Sequence, residues 1–547
     1  MKIFQPKILE LKKGYTAKQL LPDIVAGLIV AIIALPLSIA LAIASGVSPE
    51  KGLYTAIVAG FVIALLGGSN VNISGPTAAF ATIVAGIVAT FGTSGLIVAT
   101  IMAGIILILM GIFKFGSLIK YIPHTITTGF TAGIAVTILI GQIKDFFGMS
   151  YPKGAHTVET IDKLSALLKS LDTFNYWALL VGGIGLLILI VWPKISKKIP
   201  GSLIAVIVGI AIVKLFKIPV NTIGDLYEIS NEAPKFALPQ VNFDMIRQLL
   251  PSAFTIAVLA AIESLLSCVV SDNMIKDKHN SNTELIALGT GNIFSGLFGG
   301  IPATGAIART AANVKNGGRT PVSGMVHAVI LLLILVILMP YAALIPMPII
   351  AAILFMVAYN MSEWRHFVKI CKTAPKSDIA VLVITFVLTV VFDLVVAIEF
   401  GLIAAACLFI KRMVEVTHIR PWTKEDEETE NDGGNLKKIP PKTEVFEISG
   451  PLFFANSDAV SSIPIKDGAE VIILRMRNLT SLDATALREL ATVYELCKNR
   501  GIKVLFSHVN KQPMSVMKKA GFYDLAGEDS FTKDIDSALL KAEELTK

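Results

Sequence analysis

The chain has 547 residues, of which 54% are hydrophobic and only 16% are charged, and its mean hydropathy is +0.70. A soluble domain carries about 25% charged residues. Several apolar stretches reach the roughly 20 residues that a helix needs to cross a bilayer. This composition excludes a soluble enzyme, a nucleic-acid-binding module and a disordered chain, and it predicts a multi-pass membrane protein that contacts the lipid bilayer.

The charged residues and the cysteines argue against other classes of function. The formal charge of +7 is better explained by basic loops than by a nucleic-acid partner. Four cysteines lie far apart without a CxxC motif, which predicts neither a metal site nor a disulfide framework. The sequence contains no nucleophile–base pair and no phosphate-binding loop. We therefore expect no enzyme, no cofactor and no bound metal, apart from a coupling ion discussed below.

The character of the chain changes along its length. Residues 1–20 form a basic arm, and apolar segments then extend over residues 21–417. The acidic run TKEDEETENDGGN lacks core-forming residues and predicts a linker, placed at residues 418–440. Residues 441–547 alternate strand and helix patterns and predict a small α/β domain.

Two apolar stretches are interrupted by turns of similar composition, SGPTAAF and GIPATGAIART. Their prolines, Pro76 and Pro302, lie 302 − 76 = 226 positions apart. The first span begins near Asp23 and a later span begins near Pro251, which is close to the same offset. Such matched interruptions are typical of transporters built from inverted repeats with broken helices. We therefore predict two repeats, at about residues 21–217 and 250–415.

Each repeat contains about seven apolar spans, which predicts fourteen spans in an all-α membrane domain. The third and fourth spans, for example, are placed at residues 76–91 and 93–114. Basic residues are concentrated at alternate span exits, as in Lys114, Lys194 and Lys276, whereas the other exits are mixed or acidic. The positive-inside rule then places both termini on the cytoplasmic side of the plasma (inner) membrane.

The two interrupted segments are candidates for a substrate site. A half-helix that begins at mid-membrane directs unpaired N–H groups and the positive end of its dipole at whatever lies there. Two such ends that meet would bind a small anion. We predict that the substrate-binding residues here are Ser74, Gly75, Thr77, Ala78, Ala303, Thr304, Gly305 and Ala306. The alternative is that these small residues only allow close helix packing.

Two ionisable residues accompany these segments. Arg309 would add positive potential for an anion, unless it is a paired or snorkelling arginine. Glu263 is the only acidic residue in the apolar centre of its span. Binding of H⁺ or Na⁺ to Glu263 would remove its repulsion of an anion and couple the two fluxes. Ser264 and Ser267 are expected to hydrogen-bond its carboxyl or to ligate the cation, and the alternative is a purely structural carboxyl.

Several motifs resemble the SulP family, the bacterial counterpart of solute carrier family 26, over essentially the whole chain. They are SGVSPEKGLYTAIVAG, NISGPTAAF, IPHTITTGFTAGIAV, AAIESLLSCVVSD, NSNTELIALGTGNIFSGLFGGIPATGAIARTAANVKNGGRT and NLTSLDATAL. The resemblance implies a core subdomain of spans 1–4 and 8–11, a gate subdomain of spans 5–7 and 12–14, a homodimer and a cytoplasmic C-terminal STAS domain. It also implies that Glu263 occupies the coupling position and that Arg309 lies beside a central anion site.

The resemblance leaves the substrate open. Family members described as sulfate permeases often have Gln after the proline of the first span, where this chain has Leu37. TGAIARTAANV and MVAYNMSEWR look closer to proton-coupled dicarboxylate members, whereas Na⁺-coupled bicarbonate carriers usually lack the arginine. We predict a secondary active transporter of sulfate, bicarbonate or a C4-dicarboxylate, which works as an H⁺ or Na⁺ symporter through an elevator movement of the core.

Other functions remain open at this point. One is a nucleobase transporter of the same architecture, and another is an anion channel or a membrane sensor that signals through its STAS domain. In that domain Thr485 matches the position that resembles the phosphorylatable hydroxyl of anti-sigma antagonists. One interpretation is that Thr485 is phosphorylated and that the domain binds a cytoplasmic protein partner. The other, which the sequence favours, is an ordinary residue at the start of a helix capped by Asp483.

Overall fold

The computed structural model describes residues 4–13, 15–117, 123–152, 160–196, 199–239, 242–392, 394–422 and 439–547. The acidic run of the predicted linker falls outside these described residues. The chain divides into two compact units, Met1–Ala405 and Ala406–Lys547.

Helices dominate the described part of the N-terminal unit, together with two very short strands and a 3-10 helix at Lys7–Lys13. In chain order the elements are α1 (Ala17–Ala44), α2 (Pro49–Leu66), β1 (Ser74–Gly75), α3 (Ala81–Ile112), α4 (His124–Phe146), α5 (Thr160–Leu168), α6 (Tyr176–Ile195), α7 (Gly201–Phe216), α8 (Ile223–Leu226), α9 (Phe243–Ile275), α10 (Ser281–Leu297), β2 (Thr304–Gly305), α11 (Ile307–Lys315), α12 (Pro321–Ala342), α13 (Met347–Ser362), α14 (Trp364–Thr373) and α15 (Lys376–Val391). The next helix, α16 (Leu394–Val416), includes the boundary between the two units at Ala405.

Among the described residues, eight helices are long and apolar enough to cross a membrane. One of them, Ala78–Ile112, contains Gly92 with a φ of 66° and a ψ of −169°, which are not helical values. This break coincides with the boundary predicted between the third and fourth spans. α7 is apolar but shorter than the others. The total of fourteen spans stays a prediction.

The helices of this unit pack in two groups, in agreement with the predicted core and gate. α1, α2 and α3 pack with α9, α10, α11 and α12, and α4, α6 and α7 pack with α13 and α15. In the first group, a Cβ atom added to Gly289 would lie 2.4 Å from the carbonyl oxygen of Gly104. The backbones of α3 and α10 therefore touch, which only glycine allows at these positions.

The N-terminal arm is anchored to two loops of the core group. The backbone N–H of Lys7 donates to the carbonyl oxygen of Gly67, 2.9 Å away. Its ammonium lies 3.5 Å from the carboxylate of Asp277, in the loop between α9 and α10. Asn70 donates to the same carboxylate over 2.6 Å. The arm thus bridges a loop of each predicted repeat.

The C-terminal unit contains a six-stranded sheet with the order β3-β4-β5-β7-β8, in which β6 also pairs with β4. β3 is antiparallel to β4 and the other pairings are parallel. The strands are β3 (His418–Pro421), β4 (Thr443–Leu452), β5 (Val471–Arg475), β6 (Leu479–Leu482), β7 (Lys503–Ser507) and β8 (Phe531–Thr532). The helices are α17 (Asp458–Ser461), α18 (Ala484–Asn499), α19 (Lys511–Lys519), α20 (Phe522–Ala526) and α21 (Ile535–Leu545).

The start of this unit differs from the prediction, which placed residues 418–440 in a linker. Residues 418–421 form β3 instead, and the Trp422 side chain that follows is buried in a small apolar cluster with Val445 and Val471. A four-residue edge strand beside an acidic run carries too little alternation to be recognised. The first strand of the sheet therefore precedes the acidic run.

The contact between the arm and Asp277 predicts a dependence on pH. Burial raises the pKa of Asp277, but the N–H of Lys278, the amide of Asn70 and the ammonium of Lys7 together hold it below its usual value. The pKa of Asp277 is lower in the folded chain than the value of about 3.9 expected in the unfolded chain. Its ionised carboxylate therefore stabilises the contact above that pH, and this stabilisation is lost as the pH falls. Hydrogen exchange of residues 4–13 is measured in the wild type and in D277N. We expect the ratio of their protection factors to approach one as the pH decreases from about 5 to 3. A ratio that stays constant over this range would contradict the role of the contact.

Candidate functional site

The two interrupted segments meet in a short antiparallel pairing. Ser74 lies opposite Gly305 and Gly75 lies opposite Thr304. The N–H of Ala306 extends the contact by donating to the carbonyl oxygen of Ile73 over 2.8 Å. Chain that leaves a helix inside a membrane protein must find new partners for its backbone polar groups, and here each segment supplies partners to the other. Ser74, Thr304 and the two glycines are all buried.

Helices begin directly after both strands. A 3-10 turn at Ala78–Phe80 leads into α3, and α11 begins at Ile307 with Ala306 as its N-cap. The first N–H groups of α11, those of Ile307, Ala308 and Arg309, have no partner within the helix. Ile307 and Ala308 are also exposed. The structure therefore offers backbone donors at both helix starts, but on the second repeat they begin one residue after the predicted segment.

Three predicted donors of the second segment are already engaged. The N–H of Ala303 donates to the side-chain oxygen of Asn292 over 2.9 Å, and the N–H of Ala306 is used in the pairing described above. The hydroxyl of Thr304 donates to the carbonyl oxygen of Ala260 over 2.8 Å. These residues hold the crossing together, and in this conformation the hydroxyl of Thr304, one of the predicted substrate-binding residues, is already used. Sequence spacing could not reveal it, because Asn292 and Ala260 lie on other helices.

Arg309 lies at the first turn of α11 and is 2% exposed. Its Nη2 donates to the carbonyl oxygen of Pro76, so the arginine of one repeat contacts the turn of the other. Its Nε and Nη1 atoms, like the hydroxyl of Ser74, are buried without a hydrogen-bond partner among the described residues. A Cβ atom added to Gly75 would lie 2.6 Å from Nη1. A side chain at residue 75 would therefore require the guanidinium to shift, and Nε and Nη1 remain donors without a partner among the described residues.

Glu263 lies on α9 and faces the first repeat. Its carboxylate accepts a hydrogen bond from the hydroxyl of Thr77 over 2.9 Å. The carboxylate also lines a cavity of about 110 Å³ between α4 and α9. The remaining lining residues are apolar or threonine: Ile126, Thr127, Phe130, Thr131, Val258, Leu259, Ile262, Leu266 and Ile307. Of the residues that the structure describes, Glu263 is therefore the only ionisable one in the wall of this cavity.

A buried carboxylate that the sequence reasoning missed belongs to Glu284 of α10. Its Oε2 accepts from the N–H groups of Gly68 and Ser69 over 2.8 and 3.2 Å. Its Oε1 accepts from Asn72 over 2.7 Å and from Ser264 over 3.4 Å. The residue is 1% exposed. Glu284 thereby anchors the loop that leads from α2 into β1.

Asn72 extends this network to the second repeat. Its side-chain oxygen accepts from the hydroxyls of Ser267 and Thr310 over 2.8 and 3.0 Å. Thr310 in turn accepts from the N–H of Ile73 over 3.0 Å. Ser264 and Ser267 therefore bind this network, and no direct hydrogen bond from either to Glu263 is found among the described residues. The only sequence signal was the position of Asn72 before SGPT and of Thr310 after Arg309.

Thr485 lies in the first turn of α18 and is partly exposed. The helix is capped by Asp483, whose carboxylate accepts from the N–H of Ala486 over 2.8 Å. This geometry fits an ordinary helix start, and it leaves the hydroxyl of Thr485 at the surface of the C-terminal unit.

Comparisons with known proteins agree with this architecture. The sulfate permease family matches residues 20–385, and the STAS domain matches residues 436–538. YvdB of Bacillus subtilis (strain 168), a provisionally named sulfate transporter, is 39% identical over 95% of this chain and 97% of its own. The bicarbonate transporter BicA of Picosynechococcus sp. is 32% identical over 80% of each chain. The structure of SLC26A9 shares the fold, with a TM-score of 0.87 at 20% identity over 98% of this chain and 92% of that chain.

The Glu284 network predicts the effect of a conservative substitution. In E284Q, an amide replaces one carboxylate oxygen and leaves at least one buried N–H of the loop without an acceptor. We expect a loss of about 1–3 kcal/mol in the free energy of unfolding, measured as a lower thermal midpoint of the purified protein. E232Q is the matched control, because Glu232 is exposed in a loop. Equal midpoints for the two variants would contradict the anchoring role of Glu284.

Proposed function

Because the chain belongs to the sulfate permease family, whose members are transporters and not enzymes, we propose that it is a secondary active transporter of a small anion across the plasma membrane. The observation that carries this proposal is the antiparallel crossing of Ser74–Gly75 with Thr304–Gly305, which brings two helix starts together. Positive ends of helix dipoles and free N–H groups at one place favour a negative ligand.

The anion site of this proposal combines backbone and side-chain donors. The N–H groups of the exposed residues Ile307 and Ala308 would contact the anion directly, together with those of the 3-10 turn that begins at Ala78. The unused donors of Arg309 and the free hydroxyl of Ser74 supply further hydrogen bonds. Gly75 and Gly305 then serve mainly to leave room for the side chains of Arg309 and Asn72. Sulfate, bicarbonate and C4-dicarboxylates all carry oxygens that suit such donors, and the names of YvdB and BicA support the first two.

Glu263 is the proposed coupling residue. It lines the cavity between α4 of the gate group and α9 of the core group, and it binds Thr77 in the turn of the first repeat. An ionised carboxylate beside the anion would repel it, because charges interact strongly away from water. Protonation or Na⁺ binding at Glu263 removes this repulsion, so anion and cation bind together. In this proposal Ser267 does not contact Glu263 or the cation. It is a positioning residue, because its hydroxyl donates to Asn72.

Movement of the core group against the gate group would carry the bound anion across the membrane as an elevator. The position of the cavity between α4 and α9 supports this interpretation, since those helices belong to different groups. We further propose that the protein is a homodimer with both termini in the cytoplasm. The C-terminal STAS domain would there meet a protein partner, and phosphorylation of Thr485 would add negative charge at the start of α18 and oppose or promote docking.

A flux experiment tests the proposed transport. The purified protein in proteoliposomes is offered sulfate, bicarbonate, fumarate or succinate, each with and without a pH or Na⁺ gradient, and uracil as the control for a nucleobase carrier. We expect accumulation of at least one anion above equilibrium when the gradient is present. Anion flux that only follows the anion's own electrochemical gradient would identify a channel instead.

Substitution of Glu263 tests the coupling. In E263Q the carboxyl is permanently neutral, so we expect gradient-driven accumulation to fall more than tenfold while exchange of internal for external anion continues. E228Q, which removes a carboxylate from an exposed loop, is the control. Concentrative uptake by E263Q at the wild-type rate would exclude Glu263 as the coupling residue.

Substitution of Arg309 tests the anion site. R309Q removes a charge that stabilises the bound anion, and we expect the apparent KM for the anion to rise at least tenfold. R309K keeps the charge but loses the planar fork of donors, which should give an intermediate KM. K315Q, on the exposed face of the same helix, is the matched control. An unchanged KM in R309Q would assign the arginine a structural role only.

A further inference from the structure

α14 is a short helix that a left-handed residue separates from the spanning helix before it. α13 ends at Ser362, and Glu363 adopts a left-handed conformation with a φ of 40° and a ψ of 38°. None of the ten residues of α14 is buried. A change of direction at the end of a spanning helix, followed by an unburied helix, is the geometry of a segment that does not continue through the protein core.

One side of α14 is apolar, and its inner edge is held by the gate group. Trp364, Phe367, Val368 and Cys371 recur at helical spacing and share a face. The ring of Phe367 contacts that of Phe386 on α15, with 5.3 Å between centroids. Trp364 and Val368 remain 48% and 39% exposed. The helix is therefore fixed at one edge while apolar side chains project beyond it.

A basic stripe lies on a separate face. Arg365, Lys369 and Lys372 recur at intervals of four and three residues, and Lys376 continues the series. The stretch from residue 364 to 377 contains no acidic residue. No carboxylate of the described residues lies within ion-pair distance of the basic groups of Arg365, Lys369 and Lys372. Their charges are thus exposed and not neutralised by this part of the chain.

We propose that α14 lies in the plane of the membrane and that its basic stripe binds the headgroups of anionic phospholipids. A helix with tryptophan on one face and Lys or Arg on the other buries the apolar face at the boundary of headgroups and acyl chains. Each basic residue near an anionic surface then strengthens binding about fivefold. Two observations favour anionic lipid as the partner. The exposed charges of the stripe are positive, and α14 directly follows a spanning helix, which places it at the surface of the bilayer.

Bromolipid quenching of Trp364 tests the proposal. The chain has four tryptophans, so W177F, W192F and W422F together leave Trp364 as the only one. This protein is placed in phosphatidylcholine vesicles with a minor fraction of brominated phosphatidylglycerol or, in parallel, brominated phosphatidylcholine. We expect several-fold stronger quenching by the brominated phosphatidylglycerol and a smaller difference at high salt. Equal quenching by the two lipids, or none by either, would overturn the proposal.

Charge variants test whether the basic stripe of α14 causes the preference for phosphatidylglycerol. R365Q/K369Q/K372Q should lose the preference for phosphatidylglycerol, whereas R365K/K369R/K372R should retain it. K511Q/K518Q/K519Q removes three exposed positive charges from the C-terminal unit and is the matched control. All variants are compared by thermal midpoint, so that misfolding is recognised. A preference that survives in the first variant, or disappears in the control, would assign the lipid selectivity to another part of the chain.

Discussion

The pairing of two residues from each repeat is the constraint on which the N-terminal unit depends. Helices satisfy their own backbone groups, and interrupting one inside a membrane is tolerated only where new partners exist. The strands Ser74–Gly75 and Thr304–Gly305 provide those partners for each other. Once they pair, two helices must begin on either side of the same point. The electrostatic character of the site thus follows from a requirement of backbone hydrogen bonding.

Around this crossing, the carboxylates of Glu263 and Glu284 serve different ends. Glu284 is surrounded by four donors and holds the approach to the first strand. Glu263 has one donor and faces a cavity. A saturated carboxylate is a structural anchor, whereas one with spare acceptor capacity beside open space can exchange partners. This contrast supports Glu263 as the residue that responds to a cation and explains why both acids occur in one apolar unit.

The interruptions at Pro76 and Pro302 and the break near residue 92 could be read from the sequence, because glycine and proline mark helix ends. The hydrogen-bond partners of individual donors could not be predicted from the sequence. Whether Thr304 offers its hydroxyl to an anion or to Ala260 depends on a neighbour more than forty positions away. The same holds for Ser267, which binds Asn72 across 195 positions. Short edge strands such as β3 are also missed by sequence analysis, since four residues are too few to show the alternation typical of a strand.

The fit of Arg309 against Gly75 ties two distant positions together during evolution. A side chain at residue 75 would meet Nη1 of the guanidinium, so a larger residue there requires the arginine side chain to move or to be replaced. A descendant that exchanges the arginine for a small neutral residue is free to fill the vacated volume from the opposite strand. Residues 75 and 309 are therefore expected to vary together among relatives.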